Sequence, residues 1–125
     1  MSNALTTARE AVAETLKDAL DVRSHATMPD RIIPPTIITL PGTPYLTTSG
    51  TTFRSFTFGL DVVLVADAKV SSTGSETLDG LIDDAVVALV NSGVGVLEVS
   101  EPWQLSSGTA TYLAATISTT QPIYL

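Results

Sequence analysis

Glu76, Asp79 and Asp83 follow one another at steps of three and four, the spacing that sets side chains on one face of a helix. Carboxylates so placed are the oxygen ligands a divalent cation takes. The chain gives them neither the glycine-bearing loop of a calcium site nor a histidine nearby. We therefore expect no metal, and read the three as a solvated acidic face. The single histidine, His25, falls in a polar stretch and is expected to be a solvated loop residue. Serines are plentiful, but there is no Gly-x-Ser-x-Gly elbow, and one loop histidine makes no triad. Gly93-Val94-Gly95 lacks the third glycine of a dinucleotide fingerprint and follows a helical pattern instead of opening one. The absence of cysteine excludes disulfides, thiolate zinc sites and cysteine nucleophiles. No catalytic residue, cofactor or metal is assigned. The expectation is a protein that is not an enzyme.

The elements that would carry such residues can be read from periodicity. Residues 4–21 form an amphipathic helix, with Leu5, Ala8, Val12, Leu16, Ala19 and Leu20 on its apolar side and Asn3 as N-cap. Five of the seven prolines lie in residues 29–44, which must be extended and can pair only at a sheet edge. Within them, residues 36–40 read as a short edge strand, and residues 45–52 as the approach to a hairpin or a mobile loop. Residues 53–66 are the clearest strand: Phe56, Phe58, Leu60, Val62 and Leu64 alternate with Ser55, Thr57, Gly59 and Asp61. Past Asp61 the second face also turns apolar, at Val63 and Val65, so that end is covered on both sides. After a loop over 71–75, with Ser75 as candidate N-cap, a second helix spans 76–91 and stops at Gly93. Its core stripe is Leu78, Leu81, Ile82, Ala85, Val86 and Leu89. Strands over 94–100 and 110–118 complete the chain, with Ser107-Gly108 turning into the last. Trp103, between them, is read first as a plug for the end of the core and second as an interface residue. The expected fold is a single α+β domain over residues 1–125. It has a four-stranded antiparallel or mixed sheet with two helices on one face, in the order α-β-β-α-β-β.

At 125 residues the chain suits one domain with its own core. Hydrophobic residues make up 44% and charged residues 15%, which argues against disorder and leaves less surface charge than a solitary domain carries. Thr6, Thr7, Arg9 and Glu10 interrupt any signal-like apolar run, and residues 85–90 are too few to cross a membrane. A soluble protein that begins in a cytoplasm is expected. Net charge is −7, unevenly spread. The first 69 residues hold all six bases against seven acids, whereas residues 70–125 hold six acids and no base. With no basic cluster to neutralise phosphates, the chain does not grip DNA, although it could surround it.

The second helix combines both anomalies. Like charges at Asp79 and Asp83 cost a few tenths of a kcal/mol, and nothing basic in that half relieves them. A partner bearing Arg or Lys is the expected remedy, with Arg54 or Arg31 of a neighbouring copy as candidates. Val87 lies on the acidic face by helical angle, and Val90 at the edge of the core stripe. Residues 85–90 are therefore apolar all round, the mark of a helix buried on every side. Either a loop of the same chain covers them or another subunit does, and the subunit is favoured. The candidate interface residues are Val87, Val90, Asp79, Asp83, Arg54 and Tyr45.

The organisation resembles a known family. A helix leads into the proline passage RIIPPTIITLPGTPY (31–45), then a long strand over 56–66. LDGLID (78–83) opens a second helix, and YLAATI (112–117) lies near the C-terminus. This order and spacing is similar to that of the tail terminator, or tail completion, proteins of siphophages. The resemblance spans nearly the whole chain through motifs that are individually unspecific. It implies a structural virion protein that forms a ring of six copies. The ring would bind the last ring of tail-tube protein, end tube polymerisation, dock to the neck or connector and enclose DNA in its lumen without sequence-specific binding. It would be assembled in the host cytoplasm and end at the tail–neck junction of the virion. Polar strand residues such as Tyr112, Thr116 and Ser118 would face the lumen or a neighbour. Two rivals are a head-completion or connector protein of the neck, and a small-molecule-binding α+β domain.

Overall fold

The computed structural model describes residues 3–48, 55–66, 72–107 and 110–125. Helix α1 spans Ala4–Leu20, and the Asn3 side chain accepts from the Thr6 N–H at 2.8 Å, capping it as expected. Asp21 ends the helix in the left-handed region (φ 54°), its N–H donating to the Lys17 carbonyl. Then come β1 (Arg23–His25), β2 (Thr36–Thr48), β3 (Ser55–Val65), α2 (Ser72–Asn91), β4 (Gly95–Val99), β5 (Trp103–Ser107) and β6 (Ala110–Tyr124). The α+β class stands, but the sheet is mixed and has six strands, not four. Across it the order is β1-β2-β3-β6-β4, with β5 also on β6.

The two additional strands carry no periodic signal of their own. β1 has three residues and pairs in parallel with the start of β2. Side chains fix it from both sides: Ser24 Oγ donates to the Ala13 carbonyl of α1 at 2.7 Å, and Thr36 Oγ1 to the Arg23 carbonyl at 3.2 Å. Half-buried His25 therefore belongs to this strand, opposite Ile38, and not to a loop. β5 pairs Trp103 with Ala114 and Ser107 with Ala110, making a strand of the stretch read as a connection.

β4 and β5 behave as one interrupted strand along the edge of β6 opposite β3. Val96 faces Thr119 and Glu98 faces Ser118, so one extra residue, Leu97, enters there. Between Val99 opposite Ile117 and Trp103 opposite Ala114 a second extra residue enters. Ser100 spans this break: its N–H donates to the Thr116 carbonyl at 2.8 Å, and its Oγ accepts from the Thr116 N–H at 2.9 Å.

β2 is longer than the predicted 36–40, because the prolines do not end it. β1 covers only its first three residues, so that part is not an edge. Pro41 and Pro44 lie beyond β1, where the open side of the strand needs no donor. Between Pro41 opposite Leu60 and Leu46 opposite Phe58, the four residues 42–45 stand against Gly59 alone. This fold of chain is possible because glycines meet there. A Cβ on Gly59 would lie 2.4 Å from the Pro44 carbonyl oxygen, and one on Gly42 would lie 2.8 Å from the Gly59 carbonyl carbon. The Pro34-Pro35 and Thr43-Pro44 peptide bonds are cis. β6 likewise runs six residues past the predicted 118, through Pro122, which lies beyond the last residue paired with β4.

Both helices pack on one face. Val12 and Leu16 of α1 join Leu78, Ala85 and Leu89 of α2 over Phe58, Leu60, Val62, Leu64, Ala115 and Ile117. The α2 stripe is the predicted one, with Leu81, Ile82 and Val86 at its margins. The helix begins at Ser72, four residues before the predicted start, so Ser75 is inside it and not its cap. At the other end Gly93 takes φ +87°, and the Val94 N–H donates to the Leu89 carbonyl at 3.0 Å. A smaller cluster on the opposite face, Ile38, Val63, Val65 and Ala114, is covered by Ile32, Leu105, Tyr112 and Trp103. The two-sided burial past Asp61 follows from it, and Trp103 packs half-buried against this second cluster from β5 instead of plugging the end of the main core. Trp103 Nε1 donates to Thr116 Oγ1 at 3.2 Å.

Gly59→Ala should cost about 1–3 kcal/mol, because the added methyl meets backbone that cannot yield. Gly80→Ala, on α2 with nothing within 4 Å, should gain up to about 1 kcal/mol. Urea unfolding of the two variants checks both signs; a neutral Gly59→Ala would mean that the bulge does not hold its backbone close.

Candidate functional site

On α2, steps of three, four, four and three line up Glu76, Asp79, Asp83, Val87 and Val90 along one side. The line is about 21 Å long at 1.5 Å per residue. Its first three members are exposed carboxylates, and its last two are valines each 57% exposed. Between them the inward stripe is sealed, with Ala85 and Leu89 fully buried. Residues 85–90 are thus apolar all round but only half covered, and no described loop lies over Val87 or Val90. Of the two coverings considered, a loop of the same chain is not found among the described residues. Burying what remains exposed of these valines would contribute on the order of 1 kcal/mol each.

A shallow cleft beside the line is formed by Ala19 of α1 with Asp84, Val87, Ala88 and Asn91. The C-terminal ends of the two helices therefore adjoin. α2 lies over the β6 and β4 side of the sheet, and α1 over the β1 and β2 side. β4 carries two further exposed apolar residues, Val99 and Leu97, the latter opening onto the helix-free face.

Tyr45 is half-buried in its own domain, with its ring edge-on to Phe58 at a centroid distance of 5.0 Å. Its hydroxyl accepts from Arg9 Nη1 at 3.4 Å. Tyr45 thus shares no surface with the α2 line, and its ring is taken up in packing the bulge of β2 against the core. Arg54 lies outside the described residues. Arg31 is exposed in the proline segment. Among the described residues no three histidine or acidic side chains converge as metal ligands, and no helix is long and apolar enough to cross a membrane.

The helix-free face of the sheet holds the one perturbed carboxylate among the described residues. Register places Leu40, Asp61, Ser118 and Glu98 side by side across β2, β3, β6 and β4. A depression of about 140 Å³ opens there, lined among others by Pro44, Thr57, Gly59, Asp61 and Ser118. Burial raises the Asp61 pKa above its ordinary value; the hydrogen bond from Ser118 opposes this, and the charge of Glu98 adds to it. No imidazole joins Ser118 and Asp61, so the pair lacks the base and orienter of a nucleophilic site. Periodicity alone could not single out Asp61, because its environment comes from β6 and β4, remote in sequence.

A raised carboxylate pKa means that the folded chain holds its proton to higher pH than the unfolded chain does. Stability attributable to Asp61 is therefore present below the ordinary carboxylate pKa and falls as pH rises through the raised folded value. Asp61→Asn should be more stable than the parent at pH 7, with the difference vanishing in acid. Urea midpoints across that range measure this, and parallel pH profiles for the two proteins would refute it.

No protein-family model matches the sequence, and no curated protein matches it.

Proposed function

We propose that the chain is a siphophage tail terminator: a ring of six copies that seats on the last ring of tail-tube subunits, stops polymerisation and joins the tail to the neck. The observation that carries this reading is the outer line of α2, carboxylates leading into two half-exposed valines that no described part of the chain covers. Such a line suits contact with a second protein surface. Net charge of −7 keeps enclosed DNA from adhering to the lumen. In this reading the protein acts by geometry alone, without catalysis or cofactor, and resides at the tail–neck junction after assembly in the host cytoplasm.

The test is polymerisation of the tail-tube protein of the same phage in the presence of this chain, followed by electron microscopy. Parent protein should cap tubes at one end and arrest their growth. Val87→Asp with Val90→Asp should keep monomer stability within about 0.5 kcal/mol, as exposed substitutions do, yet leave tubes growing. Binding to the head-side connector and not to the tube would replace this reading with that of a head-completion protein. Binding to neither would overturn it.

A further inference from the structure

The exposed large apolar residues of the described chain are not scattered. Val87 and Val90 lie on the outer line of α2, Leu97 and Val99 on β4, Met28 and Ile33 in the segment joining β1 to β2, and Tyr124 and Leu125 at the C-terminal end. α2 lies over the β6 and β4 side of the sheet, and the segment holding Met28 and Ile33 joins β1 and β2 at the other side. With the order β1-β2-β3-β6-β4, the outermost strands are about 19 Å apart at roughly 4.8 Å per step.

The charges divide in the same way. Every exposed Lys or Arg among the described residues, Lys17, Arg23 and Arg31, is at the β1 edge. Lys17 and Arg23 line one cleft there with Asp21 and Pro35, so this edge is mixed in sign. The α2–β4 edge carries Asp79, Asp83, Asp84, Glu98 and Glu101 with no base. Met28 and Ile33, 54% and 45% exposed, flank Arg31 as Val87 and Val90 adjoin Asp83. One edge is an apolar pair with Arg31 and the adjacent exposed Asp30, and the other an apolar pair with carboxylates alone.

From this we infer that the proline segment of one copy, through Met28, Arg31 and Ile33, seats on the Val87–Val90 end of α2 in the next copy, with Arg31 against Asp83. The inference rests on the ring reading and specifies its subunit contact. The two patches differ and lie on opposite sides of the domain, so the contact is head-to-tail and propagates around a ring instead of closing as a two-fold dimer. Register is set by the cation, because an apolar pair on an apolar pair would tolerate sliding.

The chain has no cysteine, so introduced thiols report single contacts. Ile33→Cys protein mixed with Val87→Cys protein, treated with a short bismaleimide both free and on tail tubes, should give a cross-linked dimer. Each alone should give none. A chain carrying both substitutions should give a ladder that ends in a closed product. Adding Asp83→Arg to the Val87→Cys chain should lower the yield about tenfold, a loss of about 1.4 kcal/mol, and Arg31→Asp on the other chain should restore it. Self-linking of Val87→Cys alone would overturn the pairing in favour of a two-fold contact. Rings seen by native mass spectrometry or on tubes without any cross-link would also overturn the pairing while leaving the ring reading intact. Absence of both rings and cross-links would remove the two together.

Discussion

Eleven residues of β3 stand opposite eleven of β6, from Ser55 against Tyr124 to Val65 against Ala114. On this ladder the domain depends. It is the longest uninterrupted pairing among the described strands and places Phe58, Leu60, Val62 and Leu64 beside Ala115 and Ile117 as a single floor for both helices. It closes over a sequence separation that only the C-terminal strand can satisfy. Register follows from it as well: a slip of one residue would turn the whole apolar set of β3 to the other face. Thr119 pins that register from inside, its buried hydroxyl donating to the Leu60 carbonyl at 2.9 Å.

The ladder also explains why the two faces of the sheet differ. The helix side is largely apolar, with Thr39 and Thr119 as buried hydroxyls, whereas the main apolar cluster of the other side lies where Ile32 and Trp103 cover it. Past Asp61 toward Thr57 that face is lined by hydroxyls, glycine and a carboxylate together with Leu97 and Pro44 of the β2 bulge. A partly covered sheet of this kind is stable as a monomer core while still presenting two unlike surfaces. On the helix side, one stripe of α2 seals the core, and the opposite line is exposed among the described residues.

Much of this was legible from residue types alone, and the failures have a common cause. Both helices, the C-terminal stop at Gly93 and the two-sided burial of Val63 and Val65 follow from local periodicity and capping chemistry. β1 and β5 did not, because each is held by something distant: Ser24 by the Ala13 carbonyl, Trp103 by Ala114 and Thr116. The reach of β2 and β6 through Pro41, Pro44 and Pro122 was missed because proline excludes a donor but not an acceptor, and each proline faces an unpaired side. Of the candidate contact residues, exposed Asp79, Asp83, Val87 and Val90 could be read from helical angle. Tyr45 could not, since its partner Phe58 is reached only through the bulge over Gly59.

The interrupted strand formed by β4 and β5 has a consequence for what kinds of assembly the fold permits. An unbroken thirteen-residue margin would present a regular row of amide hydrogens and carbonyls, on which any extended chain could add and grow without limit. The extra residue at Leu97 and the second beside Ser100 throw that row out of phase twice, and the prolines of β2 remove donors from the opposite margin. Fibrillar growth by backbone pairing is thereby suppressed at both margins. Association is left to side chains, whose shape and charge can set a finite number of copies where hydrogen-bonded strands cannot.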